Sequence, residues 1–563
     1  MVFGITKNSF YAVVAASLIL LLWFGMLGHR DLFDPDEGRY AEIPAAMVDS
    51  GDWLTPRLNG LKYFEKPVLQ YWGTAVIYKL LGKSNATARL FTALMGLTTA
   101  LFVMWVAFRL YGKRAAAYTF LITISSMMVV TFAHLLTLDM SLTAFIIIGI
   151  GSLVIAQTDR DDDKRTRNWM LVAWAALALG TLTKGLIAVV LPAISVLAYS
   201  IWQRDTDLWK KLHLFKGVLL YVLIAAPWFV AVSYKNPEFA KFFFIHEHFD
   251  RYTSQVHGRE GPVYYFIPFL ILGVCPWLIT SIKSIIRPGF SWAPCNPGAF
   301  NPERFLWVFV IVTFIFYSLG QSKLPAYILP IFPVIAVISG GQISRTGSAD
   351  GDRWILFGLG LALVLLALNL ESVATRLYPL SGWLAYQPWL LASGLLFWLA
   401  AATLFVFKKT PLNAFAIAAV LSLASMQLVN LGLNSLSESR SSRKLADAIT
   451  SSVPDGTPVF SYRTFSKSAA FYLGKPIKMV DYSGELKLGI DSEPDNYIGS
   501  FDEFEKTWRA LGAAALIANI DAIDNEHLKK LHGSVVYEGP GRMVIIKHPI
   551  ADPSRRLTIA GAP

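Results

Sequence analysis

Predominantly apolar runs long enough to cross a bilayer fill most of the first 432 residues, and they limit the fold more than any motif does. A helix rises about 1.5 Å per residue and the hydrocarbon core is about 30 Å thick, so runs of roughly 17 to 25 residues mark spans. Such runs lie near 9–27, 84–108, 116–133, 139–157, 168–183, 186–203, 215–233, 263–282, 305–321, 324–343, 354–371, 388–407 and 413–432, thirteen in all. The first follows Lys7 and has no small-residue cleavage site after it. The charged His29-Arg30-Asp31 comes next, so it reads as a retained anchor rather than a signal peptide. With 54% hydrophobic and 16% charged residues, the chain is excluded from the ordinary soluble enzymes.

Charge placement sets an orientation. Lys and Arg in short loops favour the cytoplasm. With the amino terminus inside, each inner loop collects at least two: Lys113-Arg114, Arg160 with Lys164, Arg165 and Arg167, Lys210-Lys211, Lys283 with Arg287, Arg345 with Arg353, and Lys408-Lys409. Short outer loops carry single charges, Lys184, Lys323 and Arg376. An odd span count then puts the region from 433 to 563 outside. That region holds 16 basic and 16 acidic residues, so the whole net charge of +11 belongs to the apolar part, which suits anionic headgroups or phosphorylated lipids. The basic residues are scattered over short loops rather than gathered on one face, which argues against nucleic acid. Cys275 and Cys295 stand at opposite ends of one expected span and form neither a disulfide framework nor a Cys metal site.

The tail has a different texture. Pro458–Tyr462, Val535–Tyr537 and Met543–Ile546 read as strands and Phe501–Leu511 as a helix, which predicts a small α/β domain. Two outer segments, 28–83 and 234–262, are longer than connectors need to be. Long polar loops on one face are where a membrane enzyme keeps its chemistry.

The first of these loops reads Asp34-Pro35-Asp36-Glu37-Gly38-Arg39-Tyr40. Three carboxylates within four residues repel each other unless something offsets them. Asp36 fits either a helix cap or a carboxylate that orients, deprotonates or helps hold a metal near a nucleophile. Further on, Tyr63-Phe64-Glu65-Lys66-Pro67 precedes an amphipathic stretch; Pro67 fits a first helical turn, which would seat Lys66 beside free amides and a phosphate, or else Lys66 snorkels to the headgroups. Asp139 opens the fourth span at its outer rim, either as a plain cap or as a group facing the bundle, where ionisable residues are usually functional. The second loop holds His246-Glu247-His248 and Arg251, with Arg259 beyond. Two imidazoles without a firm third ligand are weak evidence for zinc, whereas a guanidinium grips phosphate oxygens in pairs. Lys184 and Lys323 are singly interface anchors; with Lys66, Arg251 and Arg259 they would ring an acidic centre with cations, as a lipid phosphate requires.

At these residues the chain resembles the GT-C type polyprenyl-phosphate glycosyltransferases related to protein O-mannosyltransferases, and within them the lipid A aminoarabinose transferases. The resemblance rests on Asp34–Tyr40, Tyr63–Pro67, Leu138-Asp139, Thr183-Lys184-Gly185 and Lys323–Tyr327 with Leu329-Pro330. It implies an all-α polytopic membrane fold with outer-face amphipathic helices, a transmembrane domain over 1–432 and a periplasmic α/β domain over 433–563. It also implies an inner-membrane enzyme, expected as a monomer, that moves 4-amino-4-deoxy-L-arabinose from undecaprenyl phosphate to lipid A and confers polymyxin resistance. The implied site has Asp36, Asp139 and Glu37 as catalytic groups. Lys66, Arg251, Arg39 and Lys184 would bind the donor phosphate, and Tyr40, Tyr63, Tyr327 and Lys323 the rest of the substrate. Glu65, His246 and His248 are the implied ligands of a divalent ion such as zinc.

Chemistry argued from the residues is compatible with this. The chain has no Gly-rich phosphate loop or dinucleotide fingerprint for a nucleotide sugar, so a donor arriving through the membrane solves supply. Attack opposite the leaving polyprenyl phosphate inverts the anomeric carbon. A phosphate acceptor is already anionic and needs orientation from Asp36 more than deprotonation, while a hydroxyl acceptor reverses that weighting. The alternatives are a polyprenyl-phosphate-mannose dependent mannosyltransferase and, from another class, a polyprenyl-lipid transporter. The transporter predicts charges near the midplane and paired broken helices in two related halves, whereas the informative charges here gather at one rim.

Overall fold

The computed structural model describes residues 7–244, 261–286, 299–347, 349–375, 378–407 and 411–547. Among these, helices occupy all thirteen expected apolar stretches, from Lys7–Phe24 to Leu412–Gly432. Six are by themselves long and apolar enough to cross a bilayer, and eight if each of two bent pairs counts as one crossing. The difference from thirteen has plain causes. Asp163–Lys184 begins with a run of charges, Ile187–Gln203, Ile331–Thr346 and Asp352–Leu368 have only 17, 16 and 17 residues, and the first helix is apolar over the shorter stretch Val13–Phe24.

The bent pairs break where backbone hydrogen bonding is interrupted. Lys113–Ser125 and Met127–Ala133 meet at 61° beside Ser126, and Val263–Val274 and Leu278–Ile285 meet at 115° across Cys275-Pro276-Trp277. Pro276 has no amide hydrogen to continue a helix. The two breaks lie together: the Met127 amide donates to the Cys275 carbonyl at 2.9 Å, so a group that one break frees is satisfied by the other.

The C-terminal part is an α/β unit with one six-stranded sheet. In sequence order its strands are β3 (Val459–Tyr462), β4 (Lys478–Val480), β5 (Tyr497–Ile498), β6 (Ala514–Asn519), β7 (Ser534–Gly539) and β8 (Arg542–Lys547), following a short hairpin of β1 (Arg57–Leu58) and β2 (Leu61–Lys62) in the first outer loop. The order across the sheet is β5-β4-β3-β6-β8-β7; β5 to β6 run parallel and β8 pairs antiparallel with both its neighbours. The helix expected near 501–511 is Phe501–Ala510, amphipathic, with Phe501, Phe504 and Trp508 buried on one side.

The first outer loop is fixed between these two bodies. Its helix Asp36–Ser50 buries most of its residues, among them Glu37 and Glu42. Glu37 is 1% exposed and lies between Arg30 and Arg89, each making two hydrogen bonds to it at 2.7 to 3.0 Å. The amides of Phe33 and Leu136 complete its shell. Burial alone would raise this carboxyl, but the two guanidinium groups outweigh that and hold it at about 2. Glu42 has no such partner: one oxygen accepts from the Asn59 amide, the other meets no hydrogen-bond donor, and burial pushes it up to about 8.

Two outcomes follow from these carboxyls. Glu37→Gln leaves two buried guanidiniums short of an anion and should cost about 3–5 kcal/mol, read as a large drop in melting temperature of the detergent-solubilised protein. Glu42 has a folded-state value above its ordinary 4.5, so folding takes up a proton and stability declines as pH rises between those two values. Glu42→Gln should remove that decline, so the melting temperatures of parent and variant should diverge as pH is raised from about 5 to about 8; parallel curves would disprove the assignment.

Candidate active site

Asp36 is the first residue of the loop helix, and Pro35 before it provides no side-chain cap. Asp36 is therefore not the amide cap that its position permits. Its carboxylate is 49% exposed and accepts from Arg39, one turn on, at 3.2 Å. Arg39 is 10% exposed and is shared with Glu485 of the α/β unit at 2.5 Å, and Glu485 in turn meets Lys467 at 2.7 Å. The Arg39 guanidinium also lies 5.9 Å from the Tyr40 ring and 5.8 Å from that of Tyr63. Tyr40 stacks on Tyr71 with centroids 6.0 Å apart.

Tyr40 reports which charges surround it. Burial pushes its hydroxyl well above the ordinary value; Arg39 opposes the rise, and Asp36, Asp139 and Glu65 reinforce it. Three acidic residues from separate stretches of sequence therefore bear electrostatically on one buried phenol. Asp139 is the first residue of helix Asp139–Thr158, and Lys184 is the last of Asp163–Lys184. The two form a close ion pair, 14% and 16% exposed, with the Lys184 ammonium 5.0 Å over the Tyr327 ring. Lys184 thus faces a carboxylate and an aromatic face instead of standing free for a donor phosphate.

Other expectations need correction. Pro67 does not open a helix: Leu69–Leu81 starts two residues later with Val68 as its cap position, so Lys66 lies outside the first turn, where its ammonium donates to the Glu65 carbonyl at 2.7 Å. Glu37, expected to be catalytic, has both oxygens engaged by Arg30, Arg89 and two amides and has none left for a substrate. Lys323 is 6% exposed and donates to the Gly320 carbonyl at 2.5 Å. Tyr63 is buried, with a hydroxyl that meets no partner. Arg251, His246 and His248 lie outside the described residues, as does Arg259. Of the expected metal ligands only Glu65 is described, and among the described residues no three His, Cys, Asp or Glu side chains are grouped to hold an ion.

Sequence reasoning missed the participation of the tail. Glu485 and Lys467 reach the loop across a separation of 446 residues in the case of Arg39 and Glu485, and no local spacing signals such a pairing. Arg30 and Arg89 were also missed, although Arg89 is an arginine in the first turn of an expected span, which is itself a signal.

The chain is similar to known proteins over nearly its whole length. A family model described as dolichyl-phosphate-mannose-protein mannosyltransferase matches residues 8–243, and one described as aminoarabinose transferase C-terminal domain matches residues 445–547. An undecaprenyl phosphate-alpha-4-amino-4-deoxy-L-arabinose arabinosyl transferase of Edwardsiella ictaluri is 32% identical over 371 residues, 65% of each chain. One of Erwinia tasmaniensis is 30% identical over 406 residues, 70% of this chain and 71% of that one. The chain therefore matches 65% of the Edwardsiella relative's length. The crystal structure of ArnT from Cupriavidus metallidurans bound to undecaprenyl phosphate is 32% identical and superposes with a TM-score of 0.88, covering 96% of this chain and 98% of that one. On the strength of these matches, the chain belongs to the aminoarabinose transferase family of multi-pass membrane proteins.

Proposed function

We propose that the protein is a glycosyltransferase of the bacterial inner membrane that moves 4-amino-4-deoxy-L-arabinose from undecaprenyl phosphate to a lipid A phosphate. The observation that carries this reading is the superposition of nearly the whole chain on a structure described as bound to undecaprenyl phosphate, joined to a rim where Asp36 is half exposed beside Arg39 and Asp139 is paired with Lys184. In this reading the amino terminus is cytoplasmic, and the loop 28–83 and the α/β unit face the periplasm.

The reaction is a single displacement. An acceptor phosphate oxygen forms a bond to the anomeric carbon while the bond from that carbon to the donor phosphate oxygen breaks. The electron pair leaves with undecaprenyl phosphate, and the carbon is inverted. Lys66 and Arg251 neutralise the charge that grows on the leaving phosphate, a contact that strengthens where water is partly excluded. Asp36, half exposed and anchored by Arg39, orients the sugar and favours the positive charge developing on its ring. Asp139 is held by Lys184 at the rim and adds to the negative potential there. The transferred sugar carries an amine, so each transfer reduces the negative charge of the outer lipid and weakens its attraction for cationic peptides such as polymyxin.

Three measurements test this reading. Asp36→Asn should lower turnover by about 10²–10³-fold without loss of undecaprenyl phosphate binding; near-normal turnover would remove the proposed centre. Lys66→Ala and Arg251→Ala should each weaken undecaprenyl phosphate binding by about tenfold to a hundredfold, the weight of one charged hydrogen bond, in a lipid-binding titration. Reconstituted enzyme offered undecaprenyl-phosphate aminoarabinose or a polyprenyl-phosphate mannose, with lipid A or peptide as acceptor, should yield only the mass of aminoarabinosyl lipid A; a mannosylated product would assign the chain to the alternative chemistry.

A further inference from the structure

The first acid of the loop, Asp34, makes its side-chain hydrogen bonds to the α/β unit. Its Oδ1 accepts from the Ser468 amide at 2.7 Å, and its Oδ2 accepts from the Ser468 hydroxyl at 2.9 Å and the Ser442 hydroxyl at 3.1 Å. Arg542 lies 3.7 Å from the same oxygen and donates to the hydroxyls of Ser466 at 2.7 Å and Ser442 at 2.9 Å. The Asp34 amide donates to the Arg440 carbonyl at 2.6 Å. Ser442 and Ser468 are fully buried. Close contact continues one turn into the loop helix at Gly38, where a Cβ would collide with Asp34 Oδ1 and the Ser468 amide.

Two features turn this from adhesion into positioning. The first turn of the loop helix has no side-chain cap at Pro35, so ahead of Glu37 its placement depends on what the preceding residues are fixed to. That turn begins with Asp36, two residues after Asp34, so whatever fixes Asp34 also fixes the direction in which Asp36 leaves the backbone. We propose that Asp34, Ser442, Ser468 and Arg542 form a latch through which the α/β unit holds Asp36 in register for transfer, making Ser468 and Arg542 positioning residues of the reaction. This rests on the reading of Asp36 as the centre of the site. Small errors of placement at a reacting centre are costly, on the order of a hundredfold per ångström, so a loosened latch appears in turnover before it appears in binding of the donor lipid, whose phosphate contacts come from Lys66 and Arg251.

The test uses the full-length protein in detergent or nanodiscs. Ser442→Ala with Ser468→Ala removes two donors to Asp34 without altering charge, and Arg542→Gln removes the charge while retaining a donor. For each variant, turnover at saturating donor and acceptor, affinity for undecaprenyl phosphate, and amide exchange of residues 36–40 are measured. The expected result is a fall in turnover of about tenfold or more, donor affinity within about twofold of the parent, and faster exchange across 36–40. Unchanged turnover despite faster exchange overturns the proposal, as does unchanged exchange, or a loss carried wholly by donor affinity. Should the double variant fail to fold, Ser442→Ala alone carries the same expectations. Active Asp36→Asn protein would instead remove the proposed centre, an outcome distinguishable because exchange across 36–40 reads the latch without reference to chemistry.

Discussion

The outer loop depends on one carboxylate buried between two guanidiniums. A carboxylate taken from water is expensive unless its partners are close and its lone pairs are filled, and Glu37 meets both conditions through Arg30, Arg89 and two amides. Arg89 then spends its remaining donors on the carbonyls of Leu27, Arg30 and Asp31, which ties the end of the first helix to the start of the next long one. The chain cannot withdraw Glu37 without stranding both cations. Asp36 therefore has a neighbour fixed on its carboxyl side by Glu37, with Asp34 bound to the tail on the other, while its own side chain stays half exposed.

This division of labour between adjacent acids explains how three carboxylates coexist in four residues. Asp34 is neutralised from the tail, Glu37 from within the membrane part, and only Asp36 retains substantial exposure. Charge that would repel in a free loop is dispersed into three separate environments. Asp139 follows the same logic on a neighbouring helix, where Lys184 and the ring of Tyr327 accompany it.

Much of this was legible in the sequence because lipid imposes a simple rule: apolar length gives the helix positions, and each of the thirteen stretches is helical. What the rule misses is quality, since Ser126 and the Cys275-Pro276 step divide helices that hydropathy reads as continuous. The tail was legible where strands are rich in β-branched or aromatic residues, as in Val459–Tyr462, and not at Ala514–Asn519, whose alanines carry no strand preference. Asp36 and Asp139 stand out in the sequence because an acid next to an apolar run is conspicuous. The role of Glu37 was misjudged for the same reason: conspicuousness does not distinguish an acid facing a cavity from one sealed by arginines, and that distinction lies in Arg89, 52 residues away.

The junction between the two bent helices carries a mechanical meaning. Because the Met127 amide is served by the Cys275 carbonyl, neither segment can straighten or slide alone without leaving a bare amide in hydrocarbon, at several kcal/mol. The elbows are thus yoked, and any rocking of one half-helix must be transmitted to the other.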